Sequence, residues 1–262
     1  GTFGLAALVA ALATSFPELL VGVVAATRGE SGLALGNVIG SNIVDLSLII
    51  GLAAIIGGSV GVVGEFLKRD FFTAFLVGAL PMLLLIDGRL SRAEGIGLVA
   101  VYGIYNVGTL WEQRAYRAKR GGSSWGEMWQ KLGDRKTEKA AGWVVLGAVV
   151  MVVAANLLVR VAIDVAGNLG MPAFLIGLFV VAIGTSLPEL VFETEAIRKK
   201  ELGMVYGNLL GSVVANSTLI LGITAIIAPI QLVNGREYLL ATIAFIVVFG
   251  LFWWLVKTKK RL

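Results

Sequence analysis

Two stretches of this chain place a glutamate directly after a proline inside an otherwise apolar segment. Residues 13–56 read ATSFPELLVGVVAATRGESGLALGNVIGSNIVDLSLIIGLAAII, and residues 184–227 read GTSLPELVFETEAIRKKELGMVYGNLLGSVVANSTLILGITAII. At a constant offset of 171 residues, 18 of the 44 aligned positions are identical. The matches include Thr, Ser, Pro, Glu, Gly and Asn, which shared hydrophobicity does not explain. A carboxylate at membrane depth is costly, so its repetition predicts an ion site between two related halves.

The first part of each copy supplies oxygen atoms around a predicted helix break. Pro17 and Pro188 have no N–H, so carbonyls one turn earlier lose their helical donor. In lipid such a carbonyl must face a cavity, a protein partner or a cation. Glu18 and Glu189 follow the prolines directly. Further oxygen donors lie within two turns before each glutamate: Ala11, Thr14 and Ser15 in the first copy, Ala182, Thr185 and Ser186 in the second. Such hard oxygens suit Ca²⁺ and Na⁺ and do not suit Zn²⁺ or Cu⁺.

The second part of each copy carries a polar stripe on a helix. Polar residues recur every four positions and therefore share one face. They are Asn37, Ser41 and Asp45 in GNVIGSNIVD, and Asn208, Ser212 and Asn216 in GNLLGSVVAN. The GxxxG spacing in both stretches predicts a close helix–helix approach.

The two stripes and the two glutamates together predict a site with three carboxylates, Glu18, Glu189 and Asp45. Three such groups at the membrane midplane cannot all stay charged without cations. One divalent ion or several monovalent ions neutralise similar charge, which is the property that an obligatory exchanger needs.

The composition predicts an all-α polytopic membrane protein. The 262 residues are 57% hydrophobic and 15% charged, with a mean hydropathy of +0.88. The absence of Cys and His excludes thiolate and imidazole metal sites, and we expect no resident cofactor and no enzymatic activity. The basic residues lie in short loops between apolar runs, which indicates membrane topology and not nucleic-acid binding. About eight apolar segments are predicted, at 3–27, 33–58, 71–87, 92–112, 141–166, 171–195, 204–232 and 237–256.

Basic residues orient these segments in the membrane. With loops numbered alternately, 17 Lys and Arg fall on one side and 4 on the other, which places the basic 113–140 linker in the cytoplasm of a cell-membrane protein. The linker separates a first transmembrane half, 1–112, from a second, 141–262. The two motifs lie five crossings apart, so the repeat is predicted to be inverted, with broken helices.

Both copies resemble the two α-repeats of the sodium/calcium exchanger family, a branch of the cation/calcium antiporter superfamily, in its prokaryotic form. The shared signature is (G/A)TSxPE followed by GNxxGSN. The resemblance implies a monomeric antiporter in the lipid bilayer that exchanges Ca²⁺ for Na⁺ by alternating access. Because the family usually has ten helices, we expect the first and last to be missing from this chain.

The resemblance also implies a residue-by-residue ion site. The central Ca²⁺ ligands would be Glu18, Glu189 and the carbonyls of Thr14 and Thr185. The implied Na⁺ sites are Ala11, Ser15 and Ser41 on one flank and Ala182, Ser186 and Ser212 on the other, with Asp45 and Asn216 between them. This chain departs from the archaeal pattern by exchanging the acid and the amide at 45 and 216, and Val213 replaces the second Asn of the motif.

Several alternatives remain open at this point. A Ca²⁺/H⁺ exchanger of the same superfamily typically has an acid in a GNxxE-type motif, which GNVIG and GNLLG do not contain. A K⁺-dependent Na⁺/Ca²⁺ exchanger fits the same residues, and a cation channel is less consistent with two unlike copies in one chain. Glu193 and Glu195 have no acidic counterparts in the first copy. Near the cytoplasmic end of their helix they either attract cations or pair with the basic residues 198–200, and we expect the pairing.

Overall fold

The computed structural model describes the backbone of residues 2–58, 66–120 and 135–259, and the side chains of 7–58, 71–111 and 146–258. The helices in chain order are α1 (Thr2–Thr14), α2 (Phe16–Thr27), α3 (Ser31–Val44), α4 (Ile50–Gly57), α5 (Phe66–Leu84), α6 (Arg92–Arg120), α7 (Arg135–Leu169), α8 (Ala173–Ile176), α9 (Ala182–Thr185), α10 (Leu187–Arg198), α11 (Leu202–Val214), α12 (Leu221–Ile227) and α13 (Gly235–Lys259). Wider π-helical turns join several of them, at Asp45–Ile49, Gly177–Val181 and Ala215–Ile220. A 3-10 turn at Leu85–Asp87 precedes a two-residue strand, β1 (Arg89–Leu90), which pairs antiparallel with β2 (Ile230–Gln231).

The predicted all-α membrane fold is confirmed. Four helical stretches are long and apolar enough to cross a membrane, Ser31–Gly57, Leu146–Leu169, Leu202–Ile227 and Gly235–Thr258. Two bent pairs each have the composition of one further span. The third predicted segment is a shorter apolar helix, Phe71–Asp87, and the fourth lies in α6. Helices α6 and α7 extend into the predicted 113–140 linker from its two ends, and its residues 121–134 lie outside the described part of the chain.

Both PE motifs lie at a break in a spanning helix. The break between α1 and α2 falls at Ser15, with φ −78° and ψ 6°, and the one between α9 and α10 falls at Ser186, with φ −82° and ψ 5°. Each pair bends by 40°. The missing N–H of Pro17 and Pro188 explains why the helix is interrupted at the same place in both repeats. The broken helices predicted from the sequence are therefore present.

Each broken span packs against the polar-stripe helix of the other repeat. A Cβ added to Gly207 or Gly211 of α11 would lie 2.6 Å from the Cβ of Ala7 or 2.8 Å from the Cβ of Ala11, both in α1. The equivalent contact in the other half is closer, because the corresponding glycines of α3, Gly36 and Gly40, face backbone atoms. A Cβ on Gly36 would collide with the carbonyl of Phe174. The GxxxG spacing thus brings the two repeats into direct contact.

Aromatic side chains fill the core between α5 and α13. The Phe71 ring lies 4.6 Å from the Phe249 ring, edge to face, and 5.5 Å from the Phe252 ring. The rings of Phe75 and Phe245 also contact the Phe249 ring, both in tilted arrangements. Such contacts add about 1 kcal/mol each beyond the area they bury, so they hold the peripheral helices against the central repeats.

The close contact at Gly36 can be tested against a neighbour on the same helix. We expect Gly36→Ala to lower the unfolding free energy by about 3 kcal/mol, because its methyl group would overlap rigid backbone. Gly32→Ala is the matched control, since a Cβ there meets nothing within 4 Å; this substitution should leave stability unchanged or raise it by up to ~1 kcal/mol. Thermal unfolding in detergent measures both. Equal stability of the two variants would contradict the assigned packing.

Candidate ion-binding site

Three buried carboxylates lie in the interior where the repeats meet. The exposed fraction is 0% for Glu18, 0% for Asp45 and 2% for Glu189. Glu18 interacts electrostatically with both of the others, and Asp45 interacts with Glu189. Among the described side chains, none of the three carboxylates forms a salt bridge with Lys or Arg. Their charge therefore has no counter-charge within this part of the protein.

Hydrogen bonds join the polar stripe of the first repeat to the helix break of the second. The Thr185 hydroxyl donates to Asn37 Oδ1 at 3.1 Å, and it lies 3.3 Å from Ser41 Oγ. Ser41 in turn donates to Glu18 Oε1 at 3.3 Å. One network thus holds a carboxylate of the first repeat against the TSLPE motif of the second.

The hydrogen bonds of the other half of the site are only partly equivalent to these. The Thr14 hydroxyl contacts Asn208 Oδ1 at 3.3 Å, as Thr185 contacts Asn37. The Ser212 hydroxyl, in contrast, has no hydrogen-bond partner among the described residues, whereas the equivalent Ser41 has two. The two flanks of the site therefore present different sets of available oxygens.

The helix breaks leave backbone carbonyls at the site. The Ala11 carbonyl accepts the Ser15 N–H at 3.0 Å, and the Ala182 carbonyl accepts the Ser186 N–H at 3.1 Å. Within the described residues, no backbone N–H bonds to the Thr14 or Thr185 carbonyl across the break. These two carbonyls are among those that a kink can present to a cation.

Many buried oxygens at the site have no hydrogen-bond partner among the described residues. They are Ser15 Oγ, Ser186 Oγ, Ser212 Oγ, Glu18 Oε2, both carboxylate oxygens of Asp45 and Glu189, and Asn216 Oδ1. Buried polar atoms are normally paired, so this concentration needs an explanation. In the described part of the chain no three acidic side chains are arranged as a metal cluster. A cation here would therefore need hydroxyl and carbonyl oxygens beside the carboxylates, as Ca²⁺ and Na⁺ accept.

The two middle positions have different surroundings. Asp45 lies beside the Ser186 side chain, and no amide among the described residues donates a hydrogen bond to it. Asn216 donates to Asn42 Oδ1 at 3.1 Å, and Asn42 donates to Ser217 Oγ at 2.9 Å. The sequence reasoning gave Asn42 and Ser217 no role. The repeat gives little indication that these two residues belong to the site, since position 46, which corresponds to Ser217, is a leucine.

One sequence expectation is wrong for Glu193. Glu195 does pair with a basic residue, Lys199, at 3.0 Å, and this contact raises the pKa of the Lys199 ammonium. Glu193 instead is fully buried and accepts a hydrogen bond from Asn208 Nδ2 at 3.2 Å. The physical reason is helical spacing: Glu193 lies four residues after Glu189 and so shares its inward face. That spacing was visible in the sequence.

The sequence of this chain is similar to those of known membrane proteins. A family model described as sodium/calcium exchanger protein matches residues 3–111 and 139–262. The chain is 35% identical over 231 residues to a putative antiporter, CaxA, of Alkalimonas amylolytica, covering 84% of this chain and 69% of that protein. It is 31% identical over 264 residues to the inner membrane protein YrbG of Escherichia coli, covering 97% and 80%.

A solved structure shares the fold. The sodium-calcium exchanger NCX_Mj, soaked with 10 mM Na⁺ and zero Ca²⁺, matches with a TM-score of 0.63 and 26% sequence identity. The match covers 100% of this chain and 81% of that one.

The hydrogen bonds at the two breaks lead to a graded stability prediction. Thr185→Val should cost about 2 kcal/mol of unfolding free energy, because it leaves both polar atoms of the Asn37 amide buried and unpaired. Thr14→Val should cost about 1 kcal/mol, since Asn208 keeps its bond to Glu193. The control is Thr27→Val. The Thr27 hydroxyl is exposed and donates to the Val24 carbonyl, so its loss should change stability by less than about 0.5 kcal/mol. The stability of each variant is measured by thermal unfolding in detergent. A larger loss of stability for Thr14→Val than for Thr185→Val would contradict these hydrogen-bond networks.

Proposed function

We propose, from the premise that this chain belongs to the sodium/calcium exchanger family, that Glu18, Glu189 and Asp45 bind the ions of a secondary antiporter that exchanges Ca²⁺ for Na⁺. The observation that carries the proposal is the burial of three carboxylates from both repeats, which interact electrostatically and have no Lys or Arg partner among the described side chains. Uncompensated buried charge is costly, so these groups need cations.

The central Ca²⁺ position is assigned to Glu18 and Glu189, with the carbonyls of Thr14 and Thr185. Both glutamates lie just after a helix break, and within the described part of the chain neither carbonyl has a backbone donor across it. Ca²⁺ accepts six to eight oxygens in flexible geometry, and a kinked helix pair can supply carboxylate and carbonyl ligands together.

The flanking Na⁺ positions are assigned to two sets of three residues, Ala11, Ser15 and Ser41, and Ala182, Ser186 and Ser212. Support comes from the hydroxyls of Ser15, Ser186 and Ser212, which are buried without partners among the described residues. Asp45 and Asn216 take the middle position. Because only one of them carries charge, the first repeat supplies two of the three acidic ligands.

Exchange follows from charge balance. One Ca²⁺ at the central position, or several Na⁺ at the flanking positions, would each offset most of the negative charge of the three carboxylates. The empty site keeps its mutual repulsion between Glu18, Glu189 and Asp45, and so it is the least favourable form to occlude from water. Alternation of a loaded site between the two membrane faces gives coupled antiport, as inverted repeats allow.

The proposal includes an orientation. The excess of basic residues in one set of loops supports a cell-membrane protein with the 113–140 region in the cytoplasm. The site lies within one chain, which supports function as a monomer, with the lipid bilayer as its surroundings and Ca²⁺ and Na⁺ as its substrates.

Transport in proteoliposomes tests the exchange directly. An outward Na⁺ gradient should drive ⁴⁵Ca²⁺ uptake, and Glu189→Gln should abolish it by removing a central charged ligand. Glu195→Gln is the control on the same helix, because Glu195 is exposed and paired with Lys199; this variant should transport normally. Uptake driven only by an H⁺ gradient, or only when K⁺ is present, would replace the proposal with one of the related exchangers. Unsaturable flux would indicate a channel.

The middle position offers a second test through the repeat symmetry. Asp45→Asn should weaken ⁴⁵Ca²⁺ binding by about ten- to a hundredfold, because the charge of the ligand set falls. Adding Asn216→Asp returns the carboxylate at the equivalent position and should restore at least part of the affinity. A double variant no better than Asp45→Asn would show that the two middle positions do not serve one site.

A further inference from the structure

The second repeat contains a fourth buried carboxylate that the assigned ion positions do not use. Glu193 is fully buried, with Oε1 bonded to Asn208 Nδ2 and Oε2 without a partner among the described residues. It interacts electrostatically with Asp45 and Glu189. No Lys or Arg pairs with it in the described part of the chain.

Helix geometry places Glu193 beside Glu189. The two residues are four positions apart in α10 (Leu187–Arg198), so their side chains are neighbours on one face. Like charges at this spacing repel even on exposed helices. Both oxygens of Glu189 and one of Glu193 lack partners among the described residues. A cation between the two carboxylates would satisfy these oxygens and cancel the repulsion.

Neutral oxygens adjoin the same space. Asn208 links Glu193 to Thr14, since its Oδ1 contacts the Thr14 hydroxyl at 3.3 Å while its Nδ2 donates to Glu193. Thr14 also neighbours the Glu189 side chain. This group of contacting side chains therefore contains carboxylate, amide and hydroxyl oxygens, which are the donor types that a hard cation prefers.

The first repeat has no such position, which shows that the feature is additional to the symmetric site. The residue equivalent to Glu193 is Gly22, and a Cβ there would lie 2.9 Å from Thr224 Oγ1. The amide equivalent to Asn208 is Asn37, whose Nδ2 has no partner among the described residues. The hydrogen bond that Asn208 makes to a carboxylate is thus absent from the other half.

We propose that Glu193, Glu189, Asn208 and Thr14 form an additional subsite for one monovalent alkali cation, next to the central site and only in the second repeat. Glu193 adds one negative charge to the three carboxylates of the central site, and one monovalent ion matches that single added charge. The proposal rests on the proposed function, because it shares Glu189 with the central position. Na⁺ and K⁺ have the same chemistry here and are separated by the experiment.

The test counts bound ions on the purified full-length protein. Saturation binding of ²²Na⁺, and separately of ⁸⁶Rb⁺ as a K⁺ probe, is measured without Ca²⁺ for the parent protein and for Glu193→Gln. Glutamine keeps an oxygen for Asn208 Nδ2 but removes the charge. We expect the variant to bind about one monovalent ion fewer per protein. A loss seen with ²²Na⁺ identifies a Na⁺ subsite, and a loss seen only with ⁸⁶Rb⁺ identifies a K⁺ subsite. An unchanged count with both ions would overturn the proposal.

Two further variants keep the result interpretable. Glu195→Gln, on the same helix but exposed, should keep the full count. Glu193→Asp retains the charge on a shorter side chain, so it should keep the count with severalfold weaker affinity; unchanged affinity would contradict the subsite even where Glu193→Gln fails to fold. ⁴⁵Ca²⁺ binding distinguishes a failure of the proposed function from a failure of the subsite. A parent protein that binds no ⁴⁵Ca²⁺ defeats the proposed function, whereas normal ⁴⁵Ca²⁺ binding with an unchanged monovalent count defeats the subsite alone.

Discussion

Negative charge inside an apolar interior has to be balanced, and this constraint governs the centre of the molecule. Glu18, Asp45, Glu189 and Glu193 are all at least 98% buried, and in the described part of the chain no basic side chain pairs with them. Replacing such groups by apolar ones would often stabilise a protein, so stability does not explain them. Their cost is consistent with a protein whose interior is stable only when it holds cations. Under the proposed function, the surrounding hydroxyls and carbonyls would complete the coordination of a cation without adding charge.

The position of these charges depends on how closely two backbones approach. In α3 (Ser31–Val44), Gly36 and Gly40 lie against the carbonyls of Phe174 and Leu178, and a side chain at either position would collide with backbone. Gly177 meets the Leu33 carbonyl from the opposite direction. This contact sets the polar stripe of the first repeat within hydrogen-bonding distance of the second repeat's helix break. A wider separation would break the Thr185–Asn37 and Thr185–Ser41 contacts and would move Glu18 away from Glu189.

Much of this arrangement follows from local sequence rules, and the rest depends on tertiary contacts. The breaks at Pro17 and Pro188 follow from the missing N–H, and the polar stripes follow from helical spacing. The π-helical turn that begins at Asp45 has no comparable signal in the sequence, since π turns are rare single-turn bulges inside α-helices. The role of Asn42 also lay beyond the sequence, since its partners Asn216 and Ser217 are more than 170 residues away. The inward face of Glu193 could have been predicted from its spacing to Glu189, but the nearby basic residues suggested a simpler pairing.

The two repeats differ in where they place their carboxylates. Two inverted copies with identical residues would present the same oxygens toward both membrane faces. Here the first repeat supplies Glu18 and Asp45, and the second supplies Glu189 and Glu193, so each contributes two carboxylates, but at different positions. At the site equivalent to Glu193, Gly22 packs against Thr224 and leaves no room for an acid. The available oxygens therefore differ on the two sides of the symmetry axis. Under the proposed function, an ion that enters from one face would meet a different series of oxygens from an ion that enters from the other.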